Sequence, residues 1–278
     1  MTTFAIIGAG AMGSAIARRL THNGAGVLTR LAGRSAQSHA RAAEAGMTDA
    51  AFEEMARAEL VLSVVPPAAA HEVVEELAPL FALPGAPVFC DANACNPQTK
   101  QRLAARVAEL GGRMVDGAII GPPPSAAAEP RLYLSREGAD MVAPLRAFGI
   151  DARALKGPLG AAAALKMCYG GINKGGIALV TALLLAAERH GAADDLVAEL
   201  GISQKPLLER SRRQIPEMYP KAWRWDPEMD EVAAFLEDDD PAAAAVWRAL
   251  ARFYAGRAAA NEAGSELPRL EAILAPRA

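Results

Sequence analysis

The stretch Phe4-Ala5-Ile6-Ile7-Gly8-Ala9-Gly10-Ala11-Met12-Gly13-Ser14-Ala15-Ile16-Ala17-Arg18-Arg19-Leu20 decides the fold. Phe4 to Ile7 has the length and β-branching of a buried strand. Three glycines follow at G-x-G-x-x-G spacing, and Met12, Ala15, Ile16 and Leu20 then recur at helical period. Strand, glycine turn and helix in that order form the context of a dinucleotide-binding fingerprint. Gly8 permits the tight turn, Gly10 lets backbone approach a pyrophosphate, and Gly13 lets helix and strand pack closely. The amides of Ala11, Met12 and Gly13 open the helix, where its dipole presents positive charge to phosphate.

Outward from this turn, strands and helices alternate. Val27 to Leu31 reads as a second strand, Glu59 to Val65 as a near-continuous apolar one ended by Pro66 and Pro67, and Pro87 to Asp91 as another. Helical patterns fill Ala69 to Leu80, the stretch from Asn96 or Pro97 to Leu110, and Ala139 to Phe148. Arg113 to Pro124 reads as a short strand running into a stiff loop, with further strands at Arg131–Ser135 and Asp151–Leu155. The alternation argues an α/β fold with a Rossmann-type doubly wound parallel sheet. Ligands in such sheets sit beyond the carboxyl ends of the strands, which puts Val65, Pro66 and Asn93 near the nicotinamide end of a cofactor. Asn93 reads equally well as a turn-capping residue.

An NAD site calls for an acid roughly 20 residues beyond the glycines, to accept from the ribose 2′-OH. No acid occurs between Gly26 and Ala43, and the loop reads Ala32-Gly33-Arg34-Ser35. A guanidinium and a hydroxyl there suit a 2′-phosphate, so the expected cofactor is NADP(H). The plainer reading is a solvated Arg34 with Ser35 capping the next helix.

Lys156-Gly157-Pro158 marks a boundary, giving a nucleotide-binding domain over 1–157 and an all-helical substrate and dimerisation domain over 158–278. The most apolar stretch, Leu159 to Ala187, reads as a long buried helix joining the domains. Lys166, Asn173 and Lys174 interrupt it, and Gly175 to Ala187 is too short to cross a bilayer. Further helices are expected at Leu196–Ile215, Glu228–Leu236 and Ala242–Ala260, the last opened by Glu237-Asp238-Asp239-Asp240-Pro241. The helix over Leu159–Ala187 is too apolar for the rest of the second domain to cover, so a homodimer is expected.

The net charge of −3 over 278 residues, without a long basic run, gives no support for nucleic-acid binding. Three cysteines without a C-x-x-C pair read as reduced thiols in a cytoplasmic protein, and no signal peptide is recognisable. The four histidines show no metal-ligand spacing.

Within Gly157 to Asn173 the only charged side chain is Lys166. Desolvation would pull its pKa toward neutrality and suit it to general acid/base work, the alternative being a lysine snorkelling out of a packed helix. Tyr169 and Asn173 fall on the same helical face, three and seven residues on.

With both motifs in view, the chain resembles the β-hydroxyacid dehydrogenase and 6-phosphogluconate dehydrogenase superfamily, in a branch with a divergent phosphogluconate-dehydrogenase-like C-terminal domain. The resemblance lies in Ile7–Gly13, Val64-Val65-Pro66-Pro67 and Gly160–Lys166, and weakens after about Leu200. It implies hydride transfer between NAD(P) and the carbon of a hydroxy acid, with Lys166 as proton donor or acceptor. Two positions depart from the family pattern. Gly170 stands where the family places an Asn, leaving Asn173 or Tyr169 for that role. The substrate loop, usually Asp-x-Pro-x-Ser-Gly-Gly, here reads Asp116-Gly117-Ala118-Ile119-Ile120-Gly121-Pro122. Ile120 replaces the serine and Pro122 removes an amide donor, so the carboxylate clamp at Ile119, Ile120 and Gly121 is impaired. Specificity would then fall to Tyr219, Trp223, Arg224 and Trp225, which otherwise read as rings packing a helix junction. The expected function is an NADP-dependent dehydrogenase or reductase acting on a carbonyl/hydroxyl pair. An imine reductase of the same superfamily and a non-catalytic nucleotide sensor are the alternatives.

Overall fold

The computed structural model describes residues 2–125, 128–264 and 266–275. The chain divides into two compact units, Met1–Lys166 and Met167–Ala278. The division falls inside a continuous helix, Ala161–Arg189, nine residues beyond the Lys156-Gly157-Pro158 boundary.

The first unit is built on one eight-stranded sheet: β1 (Thr3–Ile7), β2 (Gly26–Thr29), β3 (Met47–Asp49), β4 (Leu60–Ser63), β5 (Val88–Asp91), β6 (Met114–Ile120), β7 (Arg131–Leu134) and β8 (Asp151–Ala154). Their spatial order is β3-β2-β1-β4-β5-β6-β7-β8. From β3 to β6 every pairing is parallel, as the alternation of strands and helices requires. The expectation of an all-parallel sheet fails at one place: β7 runs antiparallel to β6, with Ile120 opposite Arg131. The connection is only residues 121–130, and no helix lies among its described residues, so the chain can turn back but cannot cross over. β8 is again parallel to β7.

The sheet is covered on both faces by separate apolar clusters. Phe4, Ile6, Leu20, Leu62, Val115 and Leu134 belong to one, and Ile7, Met55, Val61, Leu77, Phe89 and Val107 to the other. Alternate residues of β1 and of β4 therefore enter opposite cores, which is why these strands read as continuous hydrophobic runs.

Several helices differ in detail from the sequence expectation, and prolines account for most of it. The pattern over Ala69–Leu80 breaks at Leu77 into helices Ala70–Glu76 and Ala78–Phe81, because Pro79 has no N–H to continue the ladder. The pattern over Ala139–Phe148 opens as a 3₁₀ segment, Arg136–Met141, before helix Val142–Ala147. The second strand stops at Thr29, leaving Leu31 beyond it.

In the second unit, the stretch Leu196–Ile215 is two helices, Ala193–Ser203 and Lys205–Met218, parted at Gln204 ahead of Pro206. Helices Ala222–Leu236 and Pro241–Ala263 follow, the latter capped by Asp240, whose carboxylate accepts from Ala243 N at 2.9 Å. A further helix, Leu267–Leu274, was not anticipated. The glycines of the long helix have a packing role: a Cβ at Gly175 would lie 2.8 Å from the Trp247 ring, and one at Gly171 3.3 Å from it. The indole of helix Pro241–Ala263 thus sits on a strip that only glycine leaves open. The long helix has the length and apolarity of a bilayer-crossing segment, with 39% of its most apolar window buried. Tyr169, Ile172, Leu179 and Leu183 nevertheless stand exposed along it, Ile172 at 69%.

Candidate active site

The glycine turn leaves β1 at the point where the strand order reverses, between β1 and β4. Gly8 has φ +105°, and a Cβ there would lie 2.3 Å from Val64 O. A Cβ at Gly13 would lie 2.0 Å from Gly8 O. Both positions exclude any side chain. Gly10 differs, because a Cβ there meets nothing within 4 Å. Its freedom from contact leaves the backbone open to a ligand. Helix Ala11–His22 starts at Gly10 with no side-chain cap, whereas Ser35 and Asn96 cap helices Ala36–Glu44 and Pro97–Glu109. An uncapped helix start beside an open glycine is an anion-binding geometry.

A groove of about 220 Å³ lies over this turn, lined by Gly8, Ala9, Gly10, Arg30, Leu31, Arg34, Ser38, Val64, Val65 and Pro66. Gly8, Gly10, Arg34, Val65 and Pro66 had been singled out in the sequence; Arg30 and Ser38 had not. Arg30 lies over the Phe52 ring, 4.7 Å from its centroid, and Arg34 pairs with Glu76 at 2.6 Å. Ser35 caps the next helix, its Oγ accepting from Ser38 N at 3.2 Å. A helical turn carries Ser38 back to the groove, a consequence of the cap that strand-end spacing does not reveal.

Asn93 is buried at the carboxyl ends of β4 and β5. Its Oδ1 accepts from Val65 N at 2.7 Å, while Nδ2 donates to Asp91 Oδ2 at 2.6 Å and Ser63 Oγ at 3.1 Å. Next to it lies a charge cluster that sequence reading missed. Lys100, wholly buried, donates to the carboxylate of Asp91 and to Asp91 O at 2.6 Å, and pairs with Asp116 Oδ1 at 3.4 Å. Asp116 Oδ2 accepts from the amides of Gly160 at 3.1 Å, Ala162 at 2.9 Å and Ala163 at 2.9 Å. Burial alone would drive the proton off Lys100, but Asp91 and Asp116 outweigh it and hold its pKa above the ordinary lysine value. Burial pushes the Asp116 carboxyl up, opposed by Lys100 and the Ala163 amide. The available signal was periodicity: Lys100, Leu103 and Val107 share one helical stripe, so the lysine stands on the apolar face.

Lys166 is half-buried on helix Ala161–Arg189, one turn beyond the amides that Asp116 holds. Ile119 and Ile120 lie within β6 and are buried, Ile119 in the core beside Leu132. Gly121, with φ +124°, makes the turn after the strand and packs 3.0 Å from Pro130 at its would-be Cβ.

Within the second unit, Tyr169 is exposed, and Asn173 accepts from Arg210 Nη2 at 2.5 Å and donates to Tyr169 O at 2.9 Å. Tyr219 is buried and donates to Glu266. Trp225 packs edge-on against Tyr254 at 5.3 Å, with Lys174 Nζ 5.4 Å above its ring. Trp223 and Arg224 are exposed, Trp223 at 70%. The aromatic cluster is thus divided, with Tyr219 and Trp225 in the packing and Trp223 facing solvent. Cys90 and Cys95 are buried, Cys168 is exposed, and none forms a disulfide. No group of His, Cys, Asp and Glu suited to a metal occurs among the described residues.

Residues 3–83 match the family model described as NADP oxidoreductase, coenzyme F420-dependent, and residues 187–256 match a domain of unknown function. No curated protein matches the chain. Among solved structures, it is similar to a conserved protein of unknown function whose structure is described as similar to 3-hydroxyacid dehydrogenases. That match has 25% identity and a TM-score of 0.78, and covers 95% of this chain and 99% of the other. Mycobacterium tuberculosis 3-hydroxyisobutyrate dehydrogenase shares the fold at 19% identity and a TM-score of 0.75, covering 99% and 98%. An imine reductase variant from Myxococcus stipitatus, in complex with NAD+, shares it at 18% identity and 0.59, covering 97% and 99%. The fold is that of the two-domain hydroxyacid dehydrogenases and related reductases.

Replacing Lys100 by Met leaves Asp91 and Asp116 buried without their cation. The expected loss is about 3–5 kcal/mol at neutral pH, read by urea unfolding. Asp116, already raised by burial, would lose the opposing pull of Lys100 and hold its proton more tightly still. The deficit should therefore shrink as pH falls toward the ordinary carboxylate range and grow as pH rises through the elevated value of Asp116.

Proposed function

We propose that this chain is an NADP(H)-dependent oxidoreductase acting on a carbonyl/hydroxyl pair. The observation that carries the reading is the uncapped helix start at Gly10, open where Gly8 and Gly13 are closed by backbone contact. The backbone amides of Ala11, Met12 and Gly13 would hold the pyrophosphate. Arg30, Arg34 and Ser38, which line the same groove, would hold a 2′-phosphate, and among the described residues no carboxylate lines it to accept from a 2′-OH. The Phe52 ring beneath Arg30 limits that guanidinium's freedom. Val65 and Pro66 would border the nicotinamide.

When bound, the reduced nicotinamide supplies a hydride to the substrate carbon. Lys166 gives a proton to the substrate oxygen as its C=O bond becomes C–O, and recovers one from water; oxidation of the alcohol runs the same transfers backward. Tyr169 and Asn173 are the accompanying polar groups, with Arg210 fixing the Asn173 amide. A second reading, reduction of a C=N bond, is favoured by one observation. Ile119 and Ile120 are buried in β6, and neither offers a hydroxyl that could bind a carboxylate. Trp223 and Arg224 are then the exposed candidates for recognising a larger substrate.

The exposed stripe Tyr169, Ile172, Leu179 and Leu183 supports a homodimer through the long helix, since leaving four such side chains in water is unfavourable.

Four outcomes are expected. Gly10→Ala should stay within about 0.5 kcal/mol of wild-type stability, because its Cβ meets nothing, yet weaken NADPH binding at least tenfold by fluorescence titration. NADPH should bind more tightly than NADH, and Arg30→Ala should erase much of the difference. Lys166→Ala should keep NADPH binding and lose about 10²–10⁴ in turnover. The assay is NADPH absorbance against a panel of 3-hydroxy acids, their oxo acids and cyclic imines; an unimpaired Lys166→Ala enzyme would remove the mechanism. Finally, Ile172→Glu with Leu183→Glu should convert a dimer to a monomer by light scattering.

A further inference from the structure

Five polar groups of the first unit follow one another through hydrogen bonds and one ion pair. The series starts at the groove, where Val65 N donates to Asn93 Oδ1. Asn93 Nδ2 donates to Asp91 Oδ2, Lys100 binds the other oxygen of Asp91, and Asp116 Oδ1 faces Lys100 at 3.4 Å. Asp116 Oδ2 closes the series on the amides of Gly160, Ala162 and Ala163. Asp91, Asn93, Lys100 and Asp116 are all buried. The helix that receives the last link carries Lys166 one turn later.

The surroundings leave these groups little freedom. Gly160 has φ +98°, and its would-be Cβ lies 3.3 Å from Pro97 Cβ, so the start of the long helix is seated against the start of helix Pro97–Glu109. That helix supplies Lys100. Gly117 is equally confined, its would-be Cβ lying 2.6 Å from Cys90 Sγ. The connection before the long helix is held as well, Gly157 O accepting from Arg136 N at 2.9 Å. A carboxylate sharing three amides at a helix start would serve as an ordinary cap on the surface. Here its second oxygen is engaged by a buried ammonium, which fixes where the cap can stand.

We infer that Asp116, held by Lys100 and Asp91, is the positioning residue for Lys166, fixing the register of the helix that carries the lysine. The inference rests on the reading of Lys166 as the proton-transferring group. Asp116 touches no reacting atom; it acts through the helix register. Asp116→Asn keeps an acceptor for the amides but removes one of the two charges that face Lys100, so the helix start can shift while Asp91 still pairs the ammonium and the fold persists.

The test follows Lys166 itself, without a substrate. Full-length wild type, Asp116→Asn and a destabilised control, Met55→Ala in the core of the same unit, are compared. Lys166 is labelled by reductive methylation across a pH series and quantified by peptide mass spectrometry, with hydrogen exchange measured over Ala162–Lys166. In Asp116→Asn the labelling midpoint should move by more than about half a pH unit, and amide protection should fall at least tenfold. Met55→Ala should leave both unchanged. If Asp116→Asn does not fold, Asp116→Asn with Lys100→Met and Asp91→Asn, which buries no unpaired charge, takes its place with the same expectation. A folded variant with wild-type midpoint and protection would overturn the inference, as would an equal shift in Met55→Ala. The readout is separable from the reaction: full turnover by Lys166→Ala would remove the proposed chemistry, whereas an unmoved midpoint removes the positioning role alone.

Discussion

The contact on which the first unit depends is the burial of Lys100 between Asp91 and Asp116. A lone ammonium in that interior would be strongly disfavoured, and so would either carboxylate. Together they balance one another's charge, and the outer oxygens accept hydrogen bonds. Asp91 accepts from Asn93, and Asp116 accepts from three amides at the start of the long helix. One cluster thereby joins the ends of β4 and β5, strand β6, helix Pro97–Glu109 and helix Ala161–Arg189. An apolar cluster of the same volume could fill the space, but it could not specify the axial position of a helix, because dispersion contacts are non-directional.

At several helix starts a side chain answers the free amides: Ser35, Asn96, Asp240 and, from a distant strand, Asp116. At Gly10 none does. The protein leaves unsatisfied donors at the place where the glycines bring backbone to the surface of a groove, and the groove carries Arg30 and Arg34 beyond it. Positive potential from the helix start and from the guanidiniums accumulates there, the electrostatic complement of a phosphorylated dinucleotide.

The second unit follows a different logic. Its long helix is too small-residued to make a core of its own, and Trp247 fills the strip over Gly171 and Gly175. Tyr254 donates to Lys174 O and meets Trp225 edge-on, while Lys174 pairs with Glu228 at 2.6 Å. These contacts leave the stripe of Tyr169, Ile172, Leu179 and Leu183 without cover within the unit. The apolar excess legible in Leu159–Ala187 is therefore divided between a glycine strip with its indole and a stripe that remains open.

Sequence alone determined the glycine turn, the alternation of strands and helices, the long helix and the residues that stand on it, though not strand Met47–Asp49 or helix Leu267–Leu274. These are set by local rules: φ at Gly8, the period of apolar residues, and the inability of proline to donate. Tertiary structure alone decided the reversal of β7, since strand direction depends on what a ten-residue connection can span. It decided that Ser35 is a cap and that Ser38 and Arg30 reach the groove. It also showed that Ile119 and Ile120 are core residues of a strand, and that Asn93 joins β4 to β5. Above all it assembled Asp91, Lys100 and Asp116 from three separate segments. In sequence each is an ordinary charged residue; only the fold supplies the low dielectric and the partners that make their charges structural.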